Sequence, residues 1–421
     1  MSNQRELRAA GPLNVAAGIA VVASVASVVQ WGVPQLGVAA AFLGFIALGE
    51  ILRISLPNGR QAAPLAAAGA LAYALLPSFG DQQVSISIGL AVSVVTLGSA
   101  VGSFPRALVG RGMNLEELSR RALITLFTAA IFRPLLPWLA PDGTNPDWKL
   151  ALVMVAAAVL AAVVDALLAA AVRASQSHRP LRAAIVDEFR ALIGIASAIT
   201  ATGVLIALAS SKIGYYALPI FAVPLMLTQF SFRRYATIDA TYLQTIQSLS
   251  KVTEVGGYTE KGHSTRVARL AVMVAREMGV SERDLDDLRY AALMHDIGQL
   301  SLPQPIVGGT TTLLPYYEQK RIADLGADVI EQAGLEHAAI IVRRQADPYR
   351  PYRGSLDDTL PMGSRIIKVC NAYDDFVGAS SEIDRMQSAV ERLELSVDRD
   401  YDPVVVDTLS RIVERQVDYA Y

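Results

Sequence analysis

Residues 288–298 read Leu-Arg-Tyr-Ala-Ala-Leu-Met-His-Asp-Ile-Gly, an apolar helical stretch that ends in the adjacent pair His295 and Asp296. Imidazole and carboxylate groups bind borderline divalent metals, and an apolar helix is a costly place for both when they are unpaired. His263 stands just inside an earlier predicted helix. The three residues predict a metal site between helices. The alternative is a hydrogen-bonded polar cluster that only holds the helices together.

The sequence around this trio predicts a soluble helical domain. Arg266 to Met278 has apolar residues at helical spacing on one face. Ser281 followed by Asp284 is close to an N-terminal capping box, so a second helix is expected to start there.

Residues 263–302, from His-Ser-Thr-Arg-Val-Ala-Arg-Leu-Ala to His-Asp-Ile-Gly-Gln-Leu-Ser-Leu, closely resemble the opening of HD-GYP domains. These are the phosphodiesterases of the HD superfamily that hydrolyse cyclic di-GMP. The resemblance continues through Leu325-Gly-Ala-Asp-Val-Ile, Arg365-Ile-Ile-Lys-Val-Cys-Asn-Ala-Tyr-Asp and Tyr401-Asp-Pro-Val-Val-Val, and covers about 160 residues. It implies an all-helical bundle of orthogonally packed helices.

The resemblance also implies a ligand set for one divalent transition metal, manganese, iron or zinc. Carried over residue by residue, the ligands fall on His263, His295, Asp296 and Asn371, with Asp296 as the catalytic residue. The family has an aspartate where this chain has Asn371. An amide oxygen still coordinates, but it is neutral and binds a transition metal more weakly.

At other positions this chain lacks the functional residues of the family. The second-metal histidines fall on Ile322, Gln345 and Ala346, and the lysine after the His-Asp-Ile-Gly run falls on Gln299. The Gly-Tyr-Pro segment is replaced by Pro348-Tyr-Arg-Pro-Tyr-Arg-Gly, and the approach to His263 is one residue longer than usual. The sequence therefore predicts a degenerate and at most mononuclear site.

A group of arginines falls where the lost motif would lie, namely Arg343, Arg344, Arg350 and Arg353. They are either contacts for a substrate phosphate or ordinary surface charge. The net charge of −2 gives no sign of a DNA or RNA partner.

Phosphodiester hydrolysis on this scaffold needs a metal that activates water and a cation that stabilises the charged transition state. We therefore predict a metal-dependent phosphohydrolase in bacterial signalling that acts on a nucleotide or cyclic dinucleotide. The alternative is a catalytically inactive receiver that binds a nucleotide or a partner protein and is coupled to a membrane sensor. A transporter with a regulatory domain ranks third, because no paired Gly/Pro-broken helices stand out.

The part of the chain before about residue 232 is adapted to lipid. The sequence is 52% hydrophobic and only 18% charged, whereas soluble domains carry about a quarter charged residues. Apolar segments of about 20 residues cross a bilayer as helices. We place eight of them at 13–31, 36–55, 62–78, 84–104, 121–140, 149–172, 190–209 and 213–231.

The basic residues predict the orientation of these spans. With the N-terminus inside, Lys149 and Lys212 are the main basic residues of the outer side, whereas many arginines face the cytoplasm. Everything after Arg234 is then cytoplasmic, at the bacterial cell membrane. The first segment lacks a small-residue cleavage pattern and is not expected to be a cleavable signal peptide.

Two ionisable residues fall inside predicted spans, Arg133 in the fifth and Asp165 in the sixth. Charged side chains in hydrocarbon usually face a partner or a wet cavity. Their similar depth allows a buried Arg133–Asp165 pair. The alternative is that each extends to its nearer headgroup layer.

The segment after Arg234 predicts a helix that ends at Gly256-Gly257. Its apolar stripe is Ile238, Tyr242, Ile246, Leu249 and Val252. The stripe pairs either with a second copy, giving a homodimer, or with the following domain. The sequence therefore predicts an all-α protein with a transmembrane module at 1–233, a juxtamembrane signalling helix at 234–257 and an HD-type bundle at 258–421.

Overall fold

The computed structural model describes residues 11–55, 61–80, 82–110, 114–140, 147–177, 179–306, 309–351 and 357–418. Within them the chain is helical with only two-residue strands, so the predicted all-α class is confirmed. The chain divides into two compact units. The first comprises Met1–Gln176 and Ala184–Ile238, and the second comprises Ser177–Ala183 and Asp239–Tyr421.

The first unit consists of apolar helices joined by short connections. The helices are α1 Gly11–Trp31, α2 Leu36–Ile51, α3 Pro64–Leu75, α4 Ile88–Leu108, α5 Leu115–Leu139, α6 Trp148–Ser177, α7 Leu181–Ala191, α8 Ser197–Ile213 and the start of α9 Ala217–Val255. Two antiparallel pairs of short strands, β1 Ile54–Ser55 with β2 Gln61–Ala62 and β3 Ser78–Phe79 with β4 Gln82–Gln83, flank α3.

Five helical stretches are long and apolar enough to cross a membrane. They are Gly11–Trp31, Ile88–Leu108, Leu115–Leu139, Trp148–Gln176 and the 59-residue run Ser197–Val255. That last run joins two predicted spans through a 3₁₀ turn at Gly214–Tyr216. Two further predicted spans correspond to the shorter apolar helices α2 and α3. Each predicted span thus overlaps a helix. Two of these helices, α2 and α3, are shorter than the five stretches that are long enough to cross a membrane.

Close helix approach in the first unit depends on small residues. A Cβ atom added at Gly102 of α4 would lie 2.3 Å from the carbonyl oxygen of Ala47 in α2, so glycine is required there. The short helix α3 is buried, and its Tyr73 ring lies 5.1 Å from that of Phe42.

The structure does not bring Arg133 and Asp165 together, so the predicted pair is wrong. Arg133 donates to the carbonyl oxygens of Tyr73 and Leu76, at 2.7 and 2.8 Å. These carbonyls lie at the C-terminal end of α3, where that of Tyr73 also accepts from the backbone N–H of Leu76 at 3.4 Å, and the guanidinium supplies a donor to each. Asp165 pairs instead with Arg120, at 2.7 Å.

The second unit is a bundle around one hydrophobic core. It contains the end of α9 and the helices α10 His263–Glu277, α11 Glu282–Met294, α12 Tyr316–Gln332, α13 Glu336–Arg343, α14 Met362–Val377, α15 Ile383–Glu394 and α16 Pro403–Asp418. A 3₁₀ turn, Ile297–Ser301, follows α11. The predicted helix start at Ser281 is confirmed, since its hydroxyl accepts from the backbone N–H of Asp284.

Helix α9 ends at Val255, just before the double glycine. Of its apolar stripe, Ile246 is buried in the core of the second unit, and the Tyr242 ring stands edge-on to Tyr290 at 5.8 Å. Part of the stripe therefore packs on the following domain. The predicted division of the chain at 233 and 257 stays a prediction.

Candidate metal centre

Two helix ends bring His263, His295 and Asp296 together. Gly262 adopts a left-handed conformation (φ +79°) and caps α10, so His263 becomes its first residue. Helix α11 ends at Met294, which leaves His295 and Asp296 at its C-terminal end. All three side chains are buried.

The ligand atoms of these side chains converge on one point. His263 Nε2 lies 3.4 Å from His295 Nε2, and both nitrogens lie close to Asp296 Oδ2, at 3.2 and 3.1 Å. This trio is the one cluster of histidine, cysteine and acidic residues with metal-binding spacing in the described part of the chain. It can hold a metal ion.

The outer nitrogen of each imidazole is occupied by a hydrogen bond. His263 Nδ1 donates to Asp374 Oδ2 at 2.7 Å, and His295 Nδ1 donates to the carbonyl oxygen of Ala292 at 2.9 Å. Donation from Nδ1 leaves the lone pair of the neutral ring on Nε2. Such outer partners orient ligating histidines and raise their basicity. Both rings are therefore set to offer Nε2 to a metal.

The convergence of these atoms requires a positive charge. With both rings neutral, two imidazole lone pairs and a carboxylate oxygen would repel one another at 3.1–3.4 Å. Either a proton on an imidazole or a shared metal cation relieves this repulsion. The donor set fits a divalent transition metal.

The electrostatics of the cluster favour a cation strongly. Burial opposes protonation of His263, but hydrogen bonds to Asp296 and Asp374 outweigh it and raise its pKa to about 10. Burial likewise opposes ionisation of Asp296, yet the two histidines hold the pKa of its carboxyl well below the usual range. Metal ions bind neutral imidazole, so a metal must displace a proton from this cluster.

Asn371 joins the trio from α14. Its Oδ1 lies 3.1 Å from His295 Nε2, and its Nδ2 donates to Thr311 Oγ1 at 3.2 Å. The threonine thus orients the amide so that its oxygen faces the centre. The structure brings all four predicted ligands together.

The positions of the lost second site carry no histidine and no carboxylate. Ile322 and Ala346 are buried apolar residues. Gln345 donates its amide to the carbonyl oxygen of His295 at 2.8 Å, which supports the backbone of the first site. Gln299 is fully buried, and its amide has no hydrogen-bond partner among the described residues.

A cavity of about 630 Å³ adjoins the centre and shares Asp296 and Asn371 in its wall. Of the predicted phosphate-binding arginines, Arg344 and Arg350 line this cavity. Arg343 does not line the cavity, and its guanidinium pairs instead with acidic side chains of α12. The prediction that Arg343 contacts the phosphate is therefore wrong. Arg353 lies outside the described residues.

Sequence reasoning missed two residues that position the centre. Asp374 holds His263, and the Arg266 guanidinium binds both carboxylate oxygens of Asp374 at 2.8 Å. The signal was present, since Asp374 lies three residues after Asn371 and thus one turn along the same helix face.

Gly298, in the 3₁₀ turn after the metal residues, permits a close approach of two backbones. A Cβ atom there would lie 2.0 Å from the carbonyl oxygen of Ile322 in α12. The turn therefore packs directly on α12, which closes the centre from one side.

A second carboxyl of α14 lies near the centre and titrates close to neutrality. Burial raises the pKa of Asp375 to about 6, although Thr312 donates to it at 2.6 Å. A raised carboxyl pKa favours the neutral form in the folded state, so stability is lost as pH rises through about 6.

We therefore expect Asp375→Asn to stabilise the metal-free protein by about 1–2 kcal/mol at pH 7.5 and by little at pH 4. The measurement is the melting temperature of both proteins in EDTA across this pH range. A difference that grows toward pH 4 would contradict the assignment.

Comparison with known proteins identifies the second unit. A family model for the HD domain matches residues 258–405. The chain is 25% identical to a cyclic di-GMP phosphodiesterase response regulator of Xanthomonas campestris over 178 residues, 39% of this chain and 47% of the relative. It is 24% identical to a cyclic di-GMP phosphodiesterase of Thermotoga maritima over 189 residues, 42% of this chain and 51% of the relative.

A shorter match is to the 3'3'-cGAMP-specific phosphodiesterase 3 of Vibrio cholerae, with 37% identity over 71 residues, 17% of this chain and 15% of the relative. The chain spans about half the length of the first two relatives. The resemblance to HD-GYP phosphodiesterases is confirmed, and residues 258–405 form an HD-type domain.

Proposed function

We propose that this chain is a membrane-anchored, metal-dependent phosphohydrolase that cleaves a phosphodiester bond of a nucleotide or cyclic dinucleotide in bacterial signalling. The observation that carries the proposal is the convergence of two Nε2 atoms and Asp296 Oδ2 within 3.4 Å, beside a cavity of about 630 Å³. Three relatives that hydrolyse cyclic dinucleotides, by their names, support the substrate class.

The site is proposed to hold one metal ion. His263, His295, Asp296 and Asn371 would be its ligands, and the metal supplies Lewis-acid chemistry for phosphodiester hydrolysis when bound. Asp296 belongs both to this ligand set and to the wall of the cavity, so it would contact both the metal and the substrate and is the catalytic residue of the proposal. Asp374 and Arg266 act through His263 and are positioning residues.

A receiver without catalysis is the second candidate. It is favoured by the absence of a histidine or carboxylate at Ile322, Gln345 and Ala346, where the resemblance places the ligands of a second metal. The neutral side chain of Asn371 also favours it. In that case the cavity binds a nucleotide and the membrane unit reports on, or responds to, its occupancy.

The test compares turnover and binding in the full-length protein in detergent with added manganese. We expect release of product from cyclic di-GMP, 3'3'-cGAMP or bis(p-nitrophenyl) phosphate, and a fall of at least about 100-fold in His295→Ala. His337→Ala, which removes an exposed histidine, is the matched control and keeps its activity. Nucleotide binding without any turnover would favour the receiver.

The five long apolar helices support the membrane anchor. The cytoplasmic position of the HD-type domain remains a prediction from the distribution of arginines between the two sides of the membrane. A homodimer through α9 is supported by the exposed part of its stripe. Ile238, Leu249 and Val252 remain 61%, 46% and 47% exposed.

The dimer predicts that Leu249→Cys cross-links between two chains in native membranes, because the stripe would face its copy. Lys251→Cys, on a different face of α9, should cross-link far less. The native Cys370 is buried and adds no background. Equal cross-linking at both positions would argue against pairing through the stripe.

A further inference from the structure

The cavity beside the metal centre is lined by charge of both signs. Among its described lining residues, four are basic and four are acidic, namely Arg344, Arg350, Lys368 and Arg399 against Asp296, Asp347, Asp357 and Asp400. A site with balanced charge does not attract an anion by its overall field, so the position of each individual cation decides what binds.

The charge of Arg344 is already neutralised inside the protein. Its guanidinium pairs with Asp347 and, at 2.6 Å, with Asp357. An arginine paired with two carboxylates has its charge neutralised and several of its N–H donors already in hydrogen bonds. Arg350 has an exposed side chain at the rim of the cavity.

Lys368 is bound differently. Its ammonium donates to two backbone carbonyl oxygens, those of Ala346 and Asp347, both at 3.0 Å. Among the described residues no carboxylate lies within ion-pair distance of Nζ; Asp400 and Asp347 act on it only through space. An ammonium has three donors, so two carbonyl contacts leave one N–H for a ligand.

The helix places this cation next to the metal centre. Lys368 precedes Asn371 by three residues on α14, and such residues are neighbours with about 5–6 Å between their Cβ atoms. Asn371 in turn contacts His295 at 3.1 Å. Lys368, Asn371 and Asp296 line the same cavity, so one ligand in it can contact both the ligand set and Lys368.

Burial disfavours the charged form of the Lys368 side chain. It lowers the pKa of Lys368 to about 8, although Asp400 and Asp347 oppose the shift. A partly buried cation that is hydrogen-bonded only to neutral carbonyls is stabilised when an anion binds it.

We propose that Lys368 contacts the phosphate of the ligand, and that the cavity binds a phosphate group of a nucleotide between Lys368 and the metal centre. This inference rests on the proposed function for the identity of the neighbouring metal, but the contact itself does not require the metal.

The test uses the full-length protein in detergent, with metal removed by EDTA and again after loading with manganese, and titrates inorganic phosphate by calorimetry. Lys368→Met is expected to weaken phosphate binding by at least about tenfold in both states. Lys368→Arg, which keeps the charge, should retain most of the affinity. Arg343→Met removes a cation outside the cavity and should stay within about twofold of wild type.

The two proposals fail in different ways. If the wild-type protein binds no metal but binds phosphate in a Lys368-dependent way, the proposed hydrolase function is refuted and the proposed contact between Lys368 and phosphate is supported. Lys368→Met that keeps its metal and binds phosphate like wild type would overturn the inference alone.

A measurement on the wild-type protein covers the case in which Lys368→Met does not fold. Saturating phosphate is expected to slow acetylation of Lys368 by acetic anhydride, followed by mass spectrometry, while exposed lysines such as Lys251 react unchanged. Acetylation of Lys368 at the same rate with and without bound phosphate would also overturn the inference.

Discussion

Replacing His295 with alanine is expected to lower the metal content of the full-length protein from about one transition metal per chain to less than about a tenth. The imidazole is central to the cluster, since its Nε2 lies within 3.4 Å of His263 Nε2, Asp296 Oδ2 and Asn371 Oδ1. Without it, a buried carboxylate and one imidazole remain, and these bind a proton in place of the metal. Elemental analysis after loading with manganese, iron or zinc and gel filtration gives the content.

The matched control for this variant is His337→Ala, because His337 is exposed on α13 and belongs to no ligand set. It should keep the wild-type metal content. Wild-type protein that holds no metal after loading would refute the metal centre, and the trio would then be a protonated polar cluster that holds its helices together.

Replacing Asp374 with asparagine is expected to weaken metal binding by about 10–100-fold without abolishing it. The carboxylate accepts from His263 Nδ1 at 2.7 Å and fixes the ring with Nε2 toward the centre. An amide lacks the charge that makes the imidazole more basic, and it leaves the Arg266 guanidinium with Glu260 as its remaining ionic partner. Competition with a chromophoric chelator measures the affinity.

An exposed carboxylate serves as the control for the role of Asp374 in positioning His263. Asp328→Asn removes such a group from α12, and it should leave metal affinity unchanged. Equal metal affinities for Asp374→Asn and wild type would show that the hydrogen bond to His263 is structural only.

Much of the centre was predictable because its chemistry is local in the sequence. His295 and Asp296 are adjacent, and the helix that carries them has an apolar period that can be read directly. The apolar segments before residue 232 are likewise long enough to predict helices by themselves. The capped start at Ser281 and the end of α9 before the double glycine follow from backbone rules of single residues.

The errors concern side chains whose partners lie far along the chain. Arg133 and Asp165 fall at similar depth, but which partner each one meets depends on how the helices pack. Arg343 and Arg344 are neighbours in sequence, yet successive helical residues face different directions. One therefore points at α12 and the other lines the cavity.

The sequence by itself determined the all-helical class and the apolar helices, because these rest on periodicity. It also singled out His263, His295 and Asp296 by residue type, and the resemblance to HD-GYP domains added Asn371 to these candidate ligands. The tertiary structure alone decided that Asp374 holds His263, 111 residues away, and that Lys368 stands beside the centre in the cavity wall. These contacts join separate helices, and side chains distant in sequence meet only when those helices pack around their common core.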